Sequence, residues 1–156
     1  MFRLIVAGSR GFWSQDRMNR TLDHLLKNKS PNEIEIVSGG ARGADRCAIV
    51  YAHNHGYKLT VMRADWNTHG RSAGYKRNQE MAAYADACVV FWDEESRGSK
   101  HMIDIANSID MPLRVIKYRS QQGELFEPDV IVDDVTGQRS VTMRRKQYEL
   151  VERIQL

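Results

Sequence analysis

Twice within its first 45 residues the chain runs from a short apolar segment into a glycine-rich loop and out into a helix-like stretch. Leu4-Ile5-Val6-Ala7 leads into Gly8-Ser9-Arg10-Gly11, and Ile34-Glu35-Ile36-Val37 leads into Ser38-Gly39-Gly40-Ala41-Arg42-Gly43-Ala44-Asp45. A strand that feeds a helix through such a loop leaves unpaired backbone N–H groups at the helix start. Together with the helix dipole these favour an anion such as phosphate. Glycine lets the backbone approach the anion and take positive φ. Two such loops, each with an arginine, point to a site for a phosphate-containing small molecule.

The rest of the chain repeats the alternation. Strands are expected at residues 2–7, 34–37, 58–62, 87–92 and 113–118. Helices are expected from Ser14, as a cap, to residue 29, and then at 43–54, 71–85 and 99–109. The first helix carries Met18, Leu22, Leu25 and Leu26 on one face. The second is expected to turn Cys47, Ala48, Val50 and Tyr51 inward and to stop at Gly56. Residues 64–70 read as a polar loop. The run 87–92, bounded by Asp86 and Asp93, is the most apolar and therefore central.

Continuous apolar strands between amphipathic helices imply an α/β chain with a parallel sheet covered on both faces. Ligands of such sheets sit beyond the carboxyl ends of the strands, near a switch in strand order, and every glycine-rich loop here lies at such an end. After residue 118 the rhythm changes. Residues 129–135 and 138–143 read as a hairpin around Thr136-Gly137, and 144–156 as a short basic helix. The chain thus divides into a core domain, 1–118, and an extension, 119–156, packed on it or at an interface. Val130, Val132, Val141, Tyr148, Leu150, Val151 and Ile154 give that extension apolar surface, so a homo-oligomer is expected.

A net charge of +3 tolerates an anionic ligand without demanding nucleic acid. The two cysteines, Cys47 and Cys88, lie in apolar surroundings and read as buried thiols of a reducing compartment. Met1-Phe2-Arg3 runs directly into a strand, which is no signal-peptide pattern, and no apolar run approaches the ~20 residues of a membrane span. A cytoplasmic protein is expected.

The residues expected to meet the ligand follow from the loops. Arg10 and Arg42 offer guanidinium forks that fit phosphate oxygens, and Ser9 and Ser38 offer hydroxyls that also serve as helix caps. Asp45, in a first helical turn, suits a ribose hydroxyl or the orientation of Arg42 better than direct contact with phosphate. Trp66 could stack on a base or close the core. Arg71, Arg77 and Asn78 could reach the ligand from the start of the helix expected at 71–85. Asp93, followed by Ser96-Arg97-Gly98-Ser99, ends the central strand and could bind ribose, hold a metal through water or cap the next helix. Asp45 and Asp93 are the only acids placed for catalysis. His24, His53, His55, His69 and His101 show no zinc spacing. Neither a serine elbow nor a Walker lysine is present, and no cofactor is called for.

Gly8-Ser9-Arg10-Gly11-Phe12 and Ser38 to Asp45 resemble the YspA/YpsA-related branch of the SLOG superfamily. Trp66 with Gly70-Arg71-Ala73-Gly74, Arg77-Asn78-Met81, Phe91-Trp92-Asp93 and Ser96-Arg97-Gly98-Ser99 extend the match over about residues 2–118. The resemblance implies a Rossmann-like fold and binding of nucleotides or nucleotide-derived ligands. The sister LOG phosphoribohydrolases carry a Pro-Gly-Gly-x-Gly-Thr loop followed by a glutamate, and the second loop here has neither that proline nor that glutamate. The second loop with Ala52-His53 is also similar to DprA, a binder of single-stranded DNA.

The expected function is to sense, sequester or process a nucleotide-derived ligand. The expected contacts are Gly8, Ser9, Arg10, Ser38, Gly39, Gly40, Ala41, Arg42, Gly43, Asp45, Trp66, Arg71, Arg77, Asn78, Asp93, Gly98 and Ser99. The alternatives are a nucleotide hydrolase or phosphoribohydrolase, and a DprA-like single-stranded nucleic-acid binder. The last is disfavoured because the tail from residue 139 has only five basic residues against two acidic ones, with few aromatics.

Overall fold

The apolar runs form strands that are buried on both faces. In β1 (Phe2–Gly8), Leu4 and Val6 enter one apolar core, and Ile5 and Ala7 enter another. In β2 (Ile34–Ser38), Ile34 and Ile36 join the first core and Val37 the second. In β4 (Ala87–Trp92), Val89 and Phe91 join the first, Cys88 and Val90 the second. The alternation is the two-residue period of a pleated strand, and burial of both faces demands helices above and below the sheet. The structure is a computed structural model. It describes residues 1–120, 127–132, 139–144 and 148–151, with side chains described through Tyr118.

β3 (Lys58–Val61) and β5 (Leu113–Ser120) complete a five-stranded parallel sheet in the order β3-β2-β1-β4-β5. The order reverses between β1 and β4, so the loops leaving these two neighbours diverge and open a crevice at their carboxyl ends. This is the Rossmann-like α/β fold expected from the sequence.

α1 (Gln15–Leu26) and α2 (Ala44–His55) cover the first core with Met18, Leu22, Cys47, Ala48 and Tyr51. Ser14 caps α1 by accepting from the Arg17 amide at 3.4 Å, and Gly56 ends α2 in the left-handed conformation. α4 (Ala73–Tyr84) and α5 (Arg97–Ser108) cover the second core with Met81, Ala82, Met102 and Ala106.

Glu35 is a buried charge on the second face of β2. Its carboxylate accepts from Tyr84 Oη at 2.7 Å, Thr60 Oγ1 at 2.5 Å and Arg3 Nε at 3.2 Å, with Lys58 Nζ 3.6 Å away. Burial alone would raise its pKa. The hydrogen bonds from Thr60, Tyr84 and Arg3 and the charge of Lys58 outweigh burial and hold it below the usual value. This network ties the end of α4 to the sheet.

Three expectations change. Val50, expected inward, is 37% exposed, because α2 turns the Cys47–Ala48–Tyr51 stripe to the core. Within the expected loop at 64–70, Trp66–His69 forms a short helix, α3, capped by Asp65, which accepts from the Thr68 amide at 3.1 Å. A 3-10 turn at Gly70–Ser72 then leads into α4. In the stretch expected as a C-terminal helix, Tyr148–Val151 is instead a strand, β8, antiparallel to β5. Tyr and Val favour extended backbone, and the outer edge of β5 offers the unpaired groups a strand needs.

The expected hairpin strands are present as β6 (Glu127–Val132) and β7 (Arg139–Arg144), paired antiparallel with Val130 opposite Val141. The turn at Thr136-Gly137 lies outside the described residues, as do the side chains of the apolar residues expected to drive assembly.

Candidate functional site at the carboxyl edge of the sheet

The two glycine-rich loops meet backbone to backbone. Gly43, with φ +78°, caps α2, and a Cβ there would stand 2.4 Å from the Ser9 carbonyl oxygen and 2.5 Å from that of Arg10. The Ala44 amide donates to the Ser9 carbonyl at 3.3 Å. Gly8 is equally confined, since a Cβ on it would meet the Phe91 carbonyl oxygen at 2.3 Å and the Ala44 Cβ at 2.7 Å. The Ser9 amide donates to that same Phe91 carbonyl at 2.9 Å, and the Asp93 amide donates to Ser9 Oγ at 3.2 Å. The loops after β1, β2 and β4 are therefore one joined assembly, and the absence of side chains at Gly8 and Gly43 is what lets it close.

Above it lies a cleft of about 800 Å³, within the range of small-ligand sites. Of the residues expected from sequence, Gly8, Arg10, Gly39, Gly40, Ala41, Arg42, Asp45, Trp66, Arg71, Arg77, Asn78, Asp93, Gly98 and Ser99 line it. Ser9, Ser38 and Gly43 do not. Ser9 and Ser38 are buried beneath the loops, where Ser38 Oγ donates to the Asp45 carbonyl at 2.9 Å and accepts from the Gly40 amide at 3.2 Å. Their hydroxyls shape the loops from below.

Sequence reading missed Arg63, Tyr75, Met81, Ser96 and Met102, which also line the cleft. Arg63 follows the carboxyl end of β3, the rule that found the other loops, and its Nη1 donates to the Gly40 carbonyl at 2.9 Å. Met81 and Met102 have helical apolar spacing, which by itself reads as core.

The second loop commits part of its own donors. The Gly40 amide goes to Ser38, and the Ala41 amide goes to Asp45 Oδ2 at 3.1 Å. Among the described residues the amides of Arg10, Gly11, Arg42 and Gly43 remain uncommitted. Arg77 reaches from α4 to the Gly39 carbonyl at 2.6 Å and to Asn78 Oδ1 at 3.0 Å. Asn78 continues to the Gly98 carbonyl at 3.2 Å and to His101 Nδ1 at 3.3 Å, linking the β2 loop to the start of α5.

The two acids differ. Asp45 is buried, and burial raises its carboxyl above the ordinary aspartate range against the opposing Ala41 hydrogen bond and the charges of Arg77 and Arg10. A carboxyl so displaced in a cleft marks a functional candidate. The Asp93 carboxylate accepts from the Glu95 amide at 2.9 Å and the Ser96 amide at 2.7 Å, and so folds the turn into α5. Ser96 in turn caps α5 by accepting from the Ser99 amide at 3.4 Å. Burial pushes the Cys47 thiol up to about 11 and the Cys88 thiol higher, the latter helped by the charge of Asp45. Both thiols are thus poor nucleophiles.

The model of the YspA, cpYpsA-related SLOG family matches residues 2–69, which contain both glycine-rich loops. The Gene 61 protein of Mycobacterium phage D29 is 36% identical over 119 residues, covering 72% of this chain and 94% of that protein. The chain belongs to the YspA, cpYpsA-related SLOG family.

Two solved structures share the fold of this SLOG chain. One is DNA processing protein A from Helicobacter pylori, described for its single-stranded DNA binding mode, with a TM-score of 0.54 and 22% identity over 73% of this chain and 64% of that one. The other is DprA from Streptococcus pneumoniae, with a TM-score of 0.56 and 18% identity over 73% of this chain and 49% of that one. The SLOG chain therefore spans less than two thirds of one and about half of the other. No helix among the described residues is long and apolar enough to cross a membrane.

Proposed function

We propose that this SLOG chain binds a nucleotide or nucleotide-derived phosphorylated ligand in the carboxyl-edge cleft, so as to sense, sequester or process it. The observation that carries the reading is the backbone contact of the two glycine-rich loops at Gly43, beside a cleft lined by five arginines and two aspartates. Uncommitted amides and guanidinium groups supply charge-assisted donors for phosphate, and exposed Trp66 and Tyr75 at the same cleft offer faces for a base. Native mass spectrometry of the purified protein, with identification of any released metabolite, tests the reading. The expected result is a bound phosphorylated nucleoside derivative. A protein that carries none and gives no heat on titration with nucleotides refutes it.

A second reading is single-stranded nucleic acid. It is favoured by the likeness in fold to the Helicobacter pylori protein, which binds single-stranded DNA. Affinity for an oligonucleotide that falls steeply with salt, together with no nucleotide affinity, would select it.

A further inference from the structure

We propose, resting on the nucleotide reading, that the ligand carries at least two linked phosphoryl groups, held between Arg10 and Arg42 on one side and Arg71 on the other. The five arginines of the cleft fall into two sets. Arg63 and Arg77 each donate to a carbonyl of the second loop, Gly40 at 2.9 Å and Gly39 at 2.6 Å, and so serve to shape it. Arg10, Arg42 and Arg71 line the same cleft without a hydrogen-bond or ion-pair partner among the described residues.

These three come from separate elements. Arg10 and Arg42 sit on the two loops that touch through Gly43, so one phosphoryl group can take donors from both. Arg71 sits in the 3-10 turn that leads into α4, on the segment that also carries Trp66 and Tyr75. A cation at the start of a helix is opposed by the helix dipole, so Arg71 is placed at an electrostatic cost that an anion would offset.

A single phosphate monoester brings about −1.5 to −2 charges. Shared between Arg10 and Arg42, it leaves the exposed Arg71 guanidinium without an anionic partner among the described residues. Neither cleft acid forms an ion pair with Arg71 among the described residues: the Asp93 carboxylate accepts from the Glu95 and Ser96 amides, and the Asp45 carboxyl accepts from the Ala41 amide and lies in the field of Arg77 and Arg10. A second phosphoryl group joined to the first supplies the missing charge and places the attached nucleoside toward Trp66 and Tyr75.

The test is calorimetric titration of the whole chain with inorganic phosphate, pyrophosphate, and the mono- and diphosphates of the four common ribonucleosides. The diphosphates are expected to bind at least about ten-fold tighter than the matching monophosphates. Arg71→Ala is expected to bring that ratio to about one; Arg71 is exposed, and an unchanged unfolding midpoint confirms that the variant is folded. Equal binding of mono- and diphosphates, or a preference that survives Arg71→Ala, overturns this inference and leaves the nucleotide reading standing. No binding by any of these probes overturns both.

Discussion

Gly43 and Ser9 are separated by 34 positions in the sequence, yet a Cβ on Gly43 would stand 2.4 Å from the Ser9 carbonyl oxygen. Gly43→Ala must therefore both adopt φ +78° and push two loop backbones apart. The expected loss of stability is about 2–4 kcal/mol, combining left-handed strain with overpacking. Gly56→Ala is the control, since Gly56 also has positive φ (+69°) but open space at its Cβ. It is expected to cost only about 1–2 kcal/mol. Urea unfolding of both variants decides the matter, and equal losses would show that the loop contact does not constrain the fold.

The strands were legible in the sequence because their apolar runs are buried on both faces, which is why Leu4 and Ile5, although adjacent, enter different cores. The cleft was legible because glycine-rich loops at strand ends converge in this topology. Legibility stopped where a side chain reaches the cleft from an ordinary-looking element. Tyr75 and Met102 are spaced like surface and core residues of their helices, and only the packing of α4 beside α5 shows that they share a wall with the loops. The inward turn of the Ser9 and Ser38 hydroxyls was invisible because serine serves equally as ligand donor and loop brace. α3, at four residues, is too short to show a helical period.

Glu35 makes stability pH-dependent. Its folded pKa lies below that of the unfolded chain, so its contribution is present above the unfolded value of about 4.3 and is lost as pH falls through the folded value. Glu35→Gln is expected to cost about 1–3 kcal/mol at pH 7, as hydrogen bonds to a charged acceptor are weakened. The gap between wild type and variant should narrow toward pH 3. Chemical unfolding at several pH values measures it, and a gap that stays constant would mean that the network does not depend on the charge.

Asp45 has the opposite sign. Burial raises its folded pKa above the unfolded value of about 3.9, so wild-type stability declines as pH rises from that value through the folded pKa. Asp45→Asn keeps an oxygen that can accept from the Ala41 amide and removes the buried charge. Its unfolding midpoint at pH 7 is expected to equal or exceed that of the wild type, the mark of a residue retained for function at some cost in stability. A clear drop in the midpoint would instead make Asp45 a structural brace. If the protein turns over nucleotides, loss of turnover in this stable variant would assign Asp45 a chemical role.

Arg10→Ala and Arg42→Ala each remove a guanidinium that makes no hydrogen bond among the described residues. Neither is expected to change stability by more than about 0.5 kcal/mol. Each is expected to weaken binding of a phosphorylated ligand by about 1.5–3 kcal/mol, the range for hydrogen bonds to charged groups. Calorimetry reads the affinities, and unchanged affinity in both variants would place the phosphate elsewhere.

Trp66 is 52% exposed, Tyr75 is 41% exposed, and both line the cleft. Large aromatic surface left in water is unfavourable unless something covers it, and a nucleobase covers it well, at about 1–3 kcal/mol per stacked base. Trp66→Ala is therefore expected to weaken nucleotide binding by that amount and to narrow the advantage of a nucleotide over pyrophosphate. Because the ring contributes little to the core, the unfolding midpoint should hold within the error of the measurement. Wild-type tryptophan emission should be quenched on nucleotide addition, with the quench reduced in the variant, since Trp13 and Trp92 are the only other tryptophans. An undiminished nucleotide-to-pyrophosphate ratio in Trp66→Ala would mean that the base lies away from this wall, leaving Tyr75 or the methionines Met81 and Met102 as its neighbours in the cleft.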